Sequence, residues 1–212
     1  MKKQQSGFTL VEVAIVMVII GLLLGGVLKG QEVITNARIK NVNNDFSGIS
    51  AAIYSYQDRY SALPGDDIAA DAHVNGGIIS TSAVGTRGDG IIDGDYDAAG
   101  TAPAAAANEE SALVWQHLRA GGLISGIATS SIAPNHAFGT AIGVQTGDNA
   151  TDNGINGFNG LFIAFRAVPG DMAAILDSQN DDNDPDTGSV RNSAALANYV
   201  LDNTPYDILF EL

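Results

Sequence analysis

Residues 8–28 read FTLVEVAIVMVIIGLLLGGVL, an apolar stretch of twenty-one residues in which Glu12 is the one charged side chain. At about 1.5 Å per residue, a helix of this length spans roughly 30 Å, the thickness of the hydrocarbon core of a bilayer. Lys2 and Lys3 precede the stretch and Lys29 follows it. Because basic residues are retained on the cytoplasmic side, the sequence predicts a membrane-spanning helix with a cytoplasmic N-terminus and a head on the far side.

A secretory signal peptide and an ordinary single-span anchor are the two alternatives for this stretch. The apolar run is long for a signal peptide, and no cleavage site of the A-x-A type follows it. Glu12 sets the stretch apart from an ordinary anchor, because a carboxylate near the membrane interior costs about 2.5–3.5 kcal/mol. No Lys or Arg lies within the span to neutralise it. The sequence therefore indicates that Glu12 has a specific partner.

The segment that ends at Glu12 reads Ser6-Gly7-Phe8-Thr9-Leu10-Val11-Glu12 and resembles the class III signal of type IV pilins and type II secretion pseudopilins. The resemblance implies that a prepilin peptidase cuts between Gly7 and Phe8 and that the new amino terminus at Phe8 is N-methylated. It also implies that Glu12 acts in assembly. The implied partners are the peptidase, an inner-membrane assembly platform, and further copies of this chain or other pilins.

Cleavage after Gly7 would create a positive amine at Phe8, four residues before Glu12. Residues four apart share a helix face, so the two groups can pair within one chain. The amine can equally pair with Glu12 of a neighbouring subunit, which would set the axial register of the helices in a bundle. A buried ion pair that loses one partner is penalised by about 3–5 kcal/mol, so we expect Glu12 to select the correctly docked position.

The helical pattern continues beyond the apolar stretch. Large apolar residues recur at alternating steps of three and four, which places them on one helix face. This stripe consists of Ile39, Val42, Phe46, Ile49, Ile53, Tyr56 and Tyr60. A free coiled coil would use the same pattern, but we favour a stripe that docks on the head while the opposite face packs in a fibre.

Four regions follow from these patterns. Residues 1–7 are expected to be the leader, and residues 8–35 the transmembrane and filament-core helix. Residues 36–61 would form an amphipathic helix docked on the head, and residues 62–212 an acidic globular head.

The head is predicted to consist of loops around a few regular elements. Residues 65–108 are rich in Gly, Ala and Asp and predict mostly loop. Helices are expected from Asn108, as a cap, to Ala120, and over Pro169–Asp177. Strands are expected at Ala137–Gln145, Gly160–Val168 and Tyr206–Leu212. Together with the long N-terminal helix, these elements predict an α+β, type IV pilin-like fold with a small antiparallel sheet.

Charge and cysteine content exclude several classes of protein. The net charge is −14, and residues 61–212 carry twenty acidic residues against four arginines. A head this acidic repels phosphate backbones, so no nucleic-acid partner is expected. The chain has no cysteine, which excludes a disulfide framework, a zinc finger and a cysteine nucleophile.

Two acidic runs place an acid at every second residue, the rhythm with which calcium-binding loops begin. The first run contains Asp93, Asp95 and Asp97. The second contains Asp182, Asp184 and Asp186 and is flanked by Asp177 and Asp181. Neither run fits a full EF-hand loop, because Ala98 and Thr187 occupy the position of the invariant Gly. Solvated acidic loops are the alternative, and weakly bound Ca²⁺, preferably in the second run, is the prediction.

No catalytic set emerges from the sequence. The three histidines, His73, His117 and His136, have neither metalloprotease nor Ser-His-Asp spacing and are expected to serve packing or the surface. The resemblance to type IV pilins implies a structural subunit of a type IV pilus or pilus-like filament, held in the bacterial inner membrane before assembly. A type II secretion pseudopilin is the near alternative. A membrane-anchored exported calcium-binding or enzymatic domain with an intact N-terminus is the alternative from another class.

Overall fold

The computed structural model describes residues 9–81, 86–97, 109–147, 158–194, 196 and 198–212. The helices are α1 (Leu10–Tyr60), α2 (Ala70–His73), α3 (Glu110–Ala120) and α4 (Gly170–Asn180), and the strands are β1 (Ile142–Thr146), β2 (Leu161–Pro169), β3 (Val190–Asn192) and β4 (Pro205–Glu211). The chain divides into two units between Arg38 and Ile39. The first part of α1 belongs to the first unit, and the rest of α1 belongs to the second.

The first unit is the apolar part of α1. In the described part of the chain, α1 is the one helix that is long and apolar enough to cross a membrane, and none of its apolar window is buried. Helical structure continues through all four glycines of this part. The Val, Ile, Leu and Met side chains of this part are exposed, as in a helix made for lipid or for other helices.

In the second unit, the stripe of α1 supplies one side of the core. Ile39, Val42, Ile49, Ile53 and Tyr56 are buried, and Phe46 and Tyr60 are partly buried against the same core. The stripe meets side chains of α3, α4 and the sheet in this core. The predicted fold class, a long N-terminal helix packed on a small antiparallel-sheet head, is confirmed.

The four-stranded sheet has the order β1-β2-β4-β3, with every neighbouring pair antiparallel. Successive side chains of a strand point to opposite faces. Accordingly Ile163 and Phe165 of β2 join the main core, whereas Phe162 and Ala164 join a second, smaller cluster with Phe158. Apolar side chains thus cover both faces of β2.

The structure corrects several element boundaries. β1 begins at Ile142 rather than Ala137, because the preceding residues form a tight turn in which the His136 N–H donates to the Thr140 carbonyl oxygen at 3.0 Å. α4 extends to Asn180. Glu109 holds the N-cap position of α3, and Asn108 lies outside the described residues. The three-residue strand β3 was not predicted.

Candidate functional site

Thr9 and Glu12 form a reciprocal cap at the start of α1. The Glu12 carboxylate accepts hydrogen bonds from the Thr9 backbone N–H at 2.9 Å and from the Thr9 hydroxyl at 2.8 Å. The Glu12 backbone N–H in turn lies 3.3 Å from Thr9 Oγ1. This is a capping box, which satisfies backbone donors that a helix start leaves without partners.

The capping box gives Glu12 a local partner that the sequence analysis missed. The signal was present, because Thr9-Leu10-Val11-Glu12 fits the T-x-x-E pattern before an apolar run. Both side chains are exposed within the chain itself. Gly7 and Phe8, the predicted cleavage positions, lie outside the described residues.

The second acidic run is held by its own hydrogen bonds. Asp177 is fully buried and accepts from the Tyr199 hydroxyl at 2.9 Å and from the Asn183 N–H at 3.0 Å. Burial raises the pKa of Asp177, although these hydrogen bonds oppose the shift. Asp181 accepts from the backbone N–H groups of Ser189 and Val190. A buried carboxyl group thus fixes the end of α4 to the loop that follows.

Three acids of this run come together. Oxygen atoms of Asp177, Asp181 and Asp182 lie within 4.8 Å of one another, and this is the one group of three or more such side chains found in the described residues. Oxygens at that spacing suit a calcium ion, which needs six to eight oxygen ligands. Asp184 and Asp186 are not in the group; they accept backbone N–H groups further along the loop.

Gly188 allows the loop to close over this group. Its φ is +75°, a left-handed conformation that glycine adopts without strain, and a Cβ there would collide with the Asp181 carboxylate. The group of three acids therefore depends on this glycine as well as on the carboxylates.

The acids of the first run face different ways. Asp93 is buried beside Glu110, and its backbone N–H donates to Glu110 Oε2 at 3.1 Å. Asp95 is exposed. The Asp97 carboxylate lies 3.7 Å from the Arg166 guanidinium. The described structure does not gather these three carboxylates into one group within 4.8 Å.

Glu110, the first residue of α3, was not singled out from the sequence. It is 1% exposed, and within the described residues its Oε1 atom has no hydrogen-bond partner. Burial raises the pKa of Glu110 to about 7, and the nearby acids Asp66, Asp93 and Asp89 push it in the same direction. Neither pattern nor spacing marks this glutamate, because its burial results from long-range packing.

Comparison with known proteins decides the family. Residues 2–28 match the model of the prokaryotic N-terminal methylation motif. The fimbrial protein EcpC of Eikenella corrodens is 31% identical over 106 residues, which are 48% of this chain and 69% of that protein. The chain belongs to the type IV pilin family. No solved structure matches it.

The pilin head uses its histidines for packing. His117 Nδ1 accepts the Gly65 N–H at 2.9 Å and Nε2 lies 2.8 Å from the Ile78 carbonyl oxygen, so a neutral ring with a proton on Nε2 satisfies both contacts. Burial lowers the pKa of His117, in keeping with that neutral form. His136 lies 2.9 Å from the Arg166 carbonyl oxygen. These contacts tie loops to α3 and to the sheet.

The third histidine belongs to a buried network at the end of the docked helix. The Asp67 carboxylate accepts from the Tyr56 hydroxyl at 2.8 Å and lies 2.7 Å from His73 Nδ1. Burial opposes ionisation of Asp67, but hydrogen bonds from His73, Ala69 and Tyr56 outweigh it and lower the pKa of the carboxyl group. The network anchors the pilin's Pro-Gly turn to α1.

Proposed function

We propose that this pilin is a structural subunit of a type IV pilus or pilus-like filament, made as an inner-membrane prepilin, cleaved after Gly7 and N-methylated at Phe8. The observation that carries the proposal is the methylation motif at residues 2–28, leading into a helix whose apolar window has no buried residue. Such a surface is costly in water and stable in lipid or against other helices.

Before assembly, the capping box supplies the Glu12 carboxylate with the hydrogen bonds that a bilayer lacks. During assembly, the amine of an incoming Phe8 offers the same carboxylate a charged donor. Charge-assisted hydrogen bonds are roughly twice as strong as neutral ones, so the amine competes well for Glu12. On docking, the Glu12 carboxylate would then exchange its hydrogen bonds from Thr9 for a bond from the Phe8 amine of the incoming subunit.

Among the two kinds of filament, we favour the pilus over the secretion pseudopilus. The relative that covers the shared region is named a fimbrial protein, and fimbriae are extracellular filaments. The proposed route begins at the inner membrane, with the head in the periplasm, and ends in an extracellular filament. A pseudopilin would use the same precursor, the same cleavage and the same Glu12.

N-terminal sequencing and intact-mass analysis of the chain from its native host test the proposal. We expect a mature chain that begins at Phe8 and carries one added methyl group. Gly7→Val should block cleavage, because the family's peptidase requires a residue without a side chain before the cut, and precursor should accumulate in the membrane. An intact Met1 on the wild-type chain would instead support an anchored exported domain. Mature protein of normal size from the Gly7→Val variant would contradict the assignment.

A further inference from the structure

Residues 88–97, which we call the edge strap, lie along the outer edge of the sheet. β1 stands at the end of the strand order, and in the described part of the chain β2 is its one strand neighbour. On its other side, the Thr146 N–H donates to the Ile92 carbonyl oxygen at 3.1 Å, and the Ile92 N–H donates to Thr146 Oγ1 at 3.0 Å. The Tyr96 N–H donates to Gln145 Oε1 at 3.0 Å. Exposed sheet edges are templates for pairing with other chains, so the edge strap protects this one.

The Asp66 carboxylate anchors the first half of the edge strap. Asp66 follows the Pro-Gly turn after α1 and is 4% exposed. It accepts hydrogen bonds from the Gly88 N–H and from the Gly90 N–H, the second at 2.7 Å. A buried carboxyl group from outside the edge strap thus fixes the place where the strap begins.

Glu110, the first residue of α3, anchors the second half of the edge strap. Its Oε2 atom accepts from the Asp93 N–H at 3.1 Å, and the next residue, Ser111, donates its N–H to the Asp93 carbonyl oxygen at 3.0 Å. Glu110 Oε1 has no hydrogen-bond partner among the described residues, although the side chain is only 1% exposed. A buried carboxyl group with an unpaired oxygen is costly to ionise. The start of α3 therefore meets the strap through a group that favours its protonated form.

The charged groups around Glu110 carry the same sign of charge as its ionised form. Those close enough to influence it come from the turn after α1 and from the edge strap: Asp66, Asp89 and Asp93. None of the ion pairs found in the described residues involves Glu110. Burial, helped by these acids and opposed by the Asp93 N–H, raises the pKa of Glu110 to about 7. The preceding residue, Glu109, has its pKa raised by burial and by two further acids of the strap, Asp95 and Asp97.

We propose that the edge strap is a pH-sensitive cover of β1, closed while Glu110 is protonated and opened when Glu110 loses its proton to water. Ionisation would leave a buried negative charge among three acids, and opening would give that charge the water it lacks. The strap is the part expected to move, because the residues of α3 from Ser111 to Leu118 are all buried. The inference concerns the head alone, so it applies equally to a pilus subunit and to a pseudopilin.

The closed strap holds the Glu110 proton more tightly than the open strap does. Opening exposes Glu110 to water and returns its pKa to the ordinary value of 4.5. The stabilisation of the closed strap is therefore complete below about pH 4.5 and is lost as the pH rises through 7. For a pKa that falls from about 7 to 4.5, the opening equilibrium rises roughly thirtyfold between pH 5.5 and pH 8.5. Above that range it should level off.

Hydrogen–deuterium exchange of the full chain in detergent tests the opening. Protection factors, which correct for the faster chemical exchange at high pH, are compared at pH 5.5 and pH 8.5. We expect the edge strap and the Thr146 amide to lose protection roughly thirtyfold. The amides of β4, an inner strand of the sheet, should stay more protected than the strap at both pH values, because they exchange only when the whole head unfolds. Equal protection of the strap and β4 would show that the strap opens only with the whole head and would overturn the inference.

The Glu110→Gln variant removes the titrating group and keeps an oxygen for the Asp93 N–H. Its edge strap should lose much less protection than that of the wild type over the same pH range. Asp89→Asn is the matched control, because Asp89 is an exposed acid of the strap that acts on Glu110 through its charge. The Asp89→Asn variant should still lose protection, with a midpoint at a lower pH than in the wild type.

A loss of protection as large in the Glu110→Gln variant as in the wild type would overturn the inference. If the Glu110→Gln variant does not fold, the midpoint of the Asp89→Asn variant decides the matter. A midpoint shifted to lower pH would support titration of Glu110, and a midpoint equal to that of the wild type would overturn it.

Discussion

Glu12 is the residue on which assembly is expected to depend. The Glu12→Val variant should still be cleaved after Gly7, because residue 12 does not flank the peptide bond that is cut. The Phe8 amine would then be left without a charged partner. We expect filament yield to fall by well over tenfold, because an unpaired buried charge costs about 3–5 kcal/mol. Sheared-filament yield relative to cleaved subunit measures the effect.

Thr9→Val is the matched control for the local cap. It removes both contacts of the Thr9 hydroxyl, the bond it donates to the Glu12 carboxylate and the one it accepts from the Glu12 N–H, but keeps the bond from the Thr9 backbone N–H to the carboxylate. Its expected cost is about 1 kcal/mol of helix stability, with assembly retained. Wild-type assembly by the Glu12→Val variant would refute the amine–carboxylate account.

Also at the scale of single residues, Glu110 should make the folding stability of the head depend on pH. Its folded pKa of about 7 lies above the ordinary value of 4.5. The folded state therefore holds this proton more tightly, so its stabilising contribution is present below about pH 4.5 and is lost as the pH rises through 7. One pKa unit corresponds to about 1.4 kcal/mol, so the contribution amounts to a few kcal/mol.

Glu110→Gln isolates this effect, because the amide keeps an oxygen for the Asp93 N–H and cannot ionise. Thermal unfolding of the detergent-solubilised chain should show a melting temperature that falls from pH 5 to pH 8 in the wild type and falls less in the variant. If the melting temperatures of the two proteins changed with pH in parallel, Glu110 would have no part in the pH dependence of stability.

At the scale of elements, the loop between α4 and β3 is the place where calcium is predicted. Binding to the folded state alone would add about 2.7 kcal/mol at a hundredfold excess over Kd. The melting temperature of the full chain should therefore rise with millimolar Ca²⁺ and fall with chelator, with a smaller effect of Mg²⁺ because it dehydrates reluctantly. Asp181→Asn with Asp182→Asn should abolish the response.

Asp95→Asn with Asp97→Asn is the matched control, because these two acids lie in the run whose carboxylates are not gathered together. An equal response to Na⁺ at matched ionic strength would show screening rather than binding. The second run would then be a solvated acidic loop that its own hydrogen bonds organise.

At the scale of the whole molecule, the acidic charge predicts that the chain does not bind nucleic acid. Electrostatic attraction to phosphates dominates non-specific binding to nucleic acids, and a chain of net charge −14 lacks it. We expect no retardation of duplex DNA by the purified chain even at 50 mM salt, with a basic protein as the positive control. Retardation that weakens with added salt would reveal a local basic surface that the net charge conceals.

The membrane-spanning stretch, the stripe of α1 and the family could be predicted from the sequence alone. Each depends on local information: an apolar run, a spacing of three and four residues, and the short motif around Gly7 and Glu12. Strands β2 and β4 were also found, because apolar β-branched and aromatic runs mark them within one or two residues. The capping box could have been found in the same way.

Only the tertiary structure decided which polar groups meet. The loop after α4 turns back over Gly188 and brings together the carboxylates of Asp177, Asp181 and Asp182. The equally regular run from Asp93 to Asp97 does not bring its three carboxylates into one such group. The strand β3 exists because β4 offers it an edge, and three residues carry too little pattern to reveal that. Glu110 acquires its raised pKa from burial between segments far apart in sequence, and residue spacing along the chain does not encode such burial.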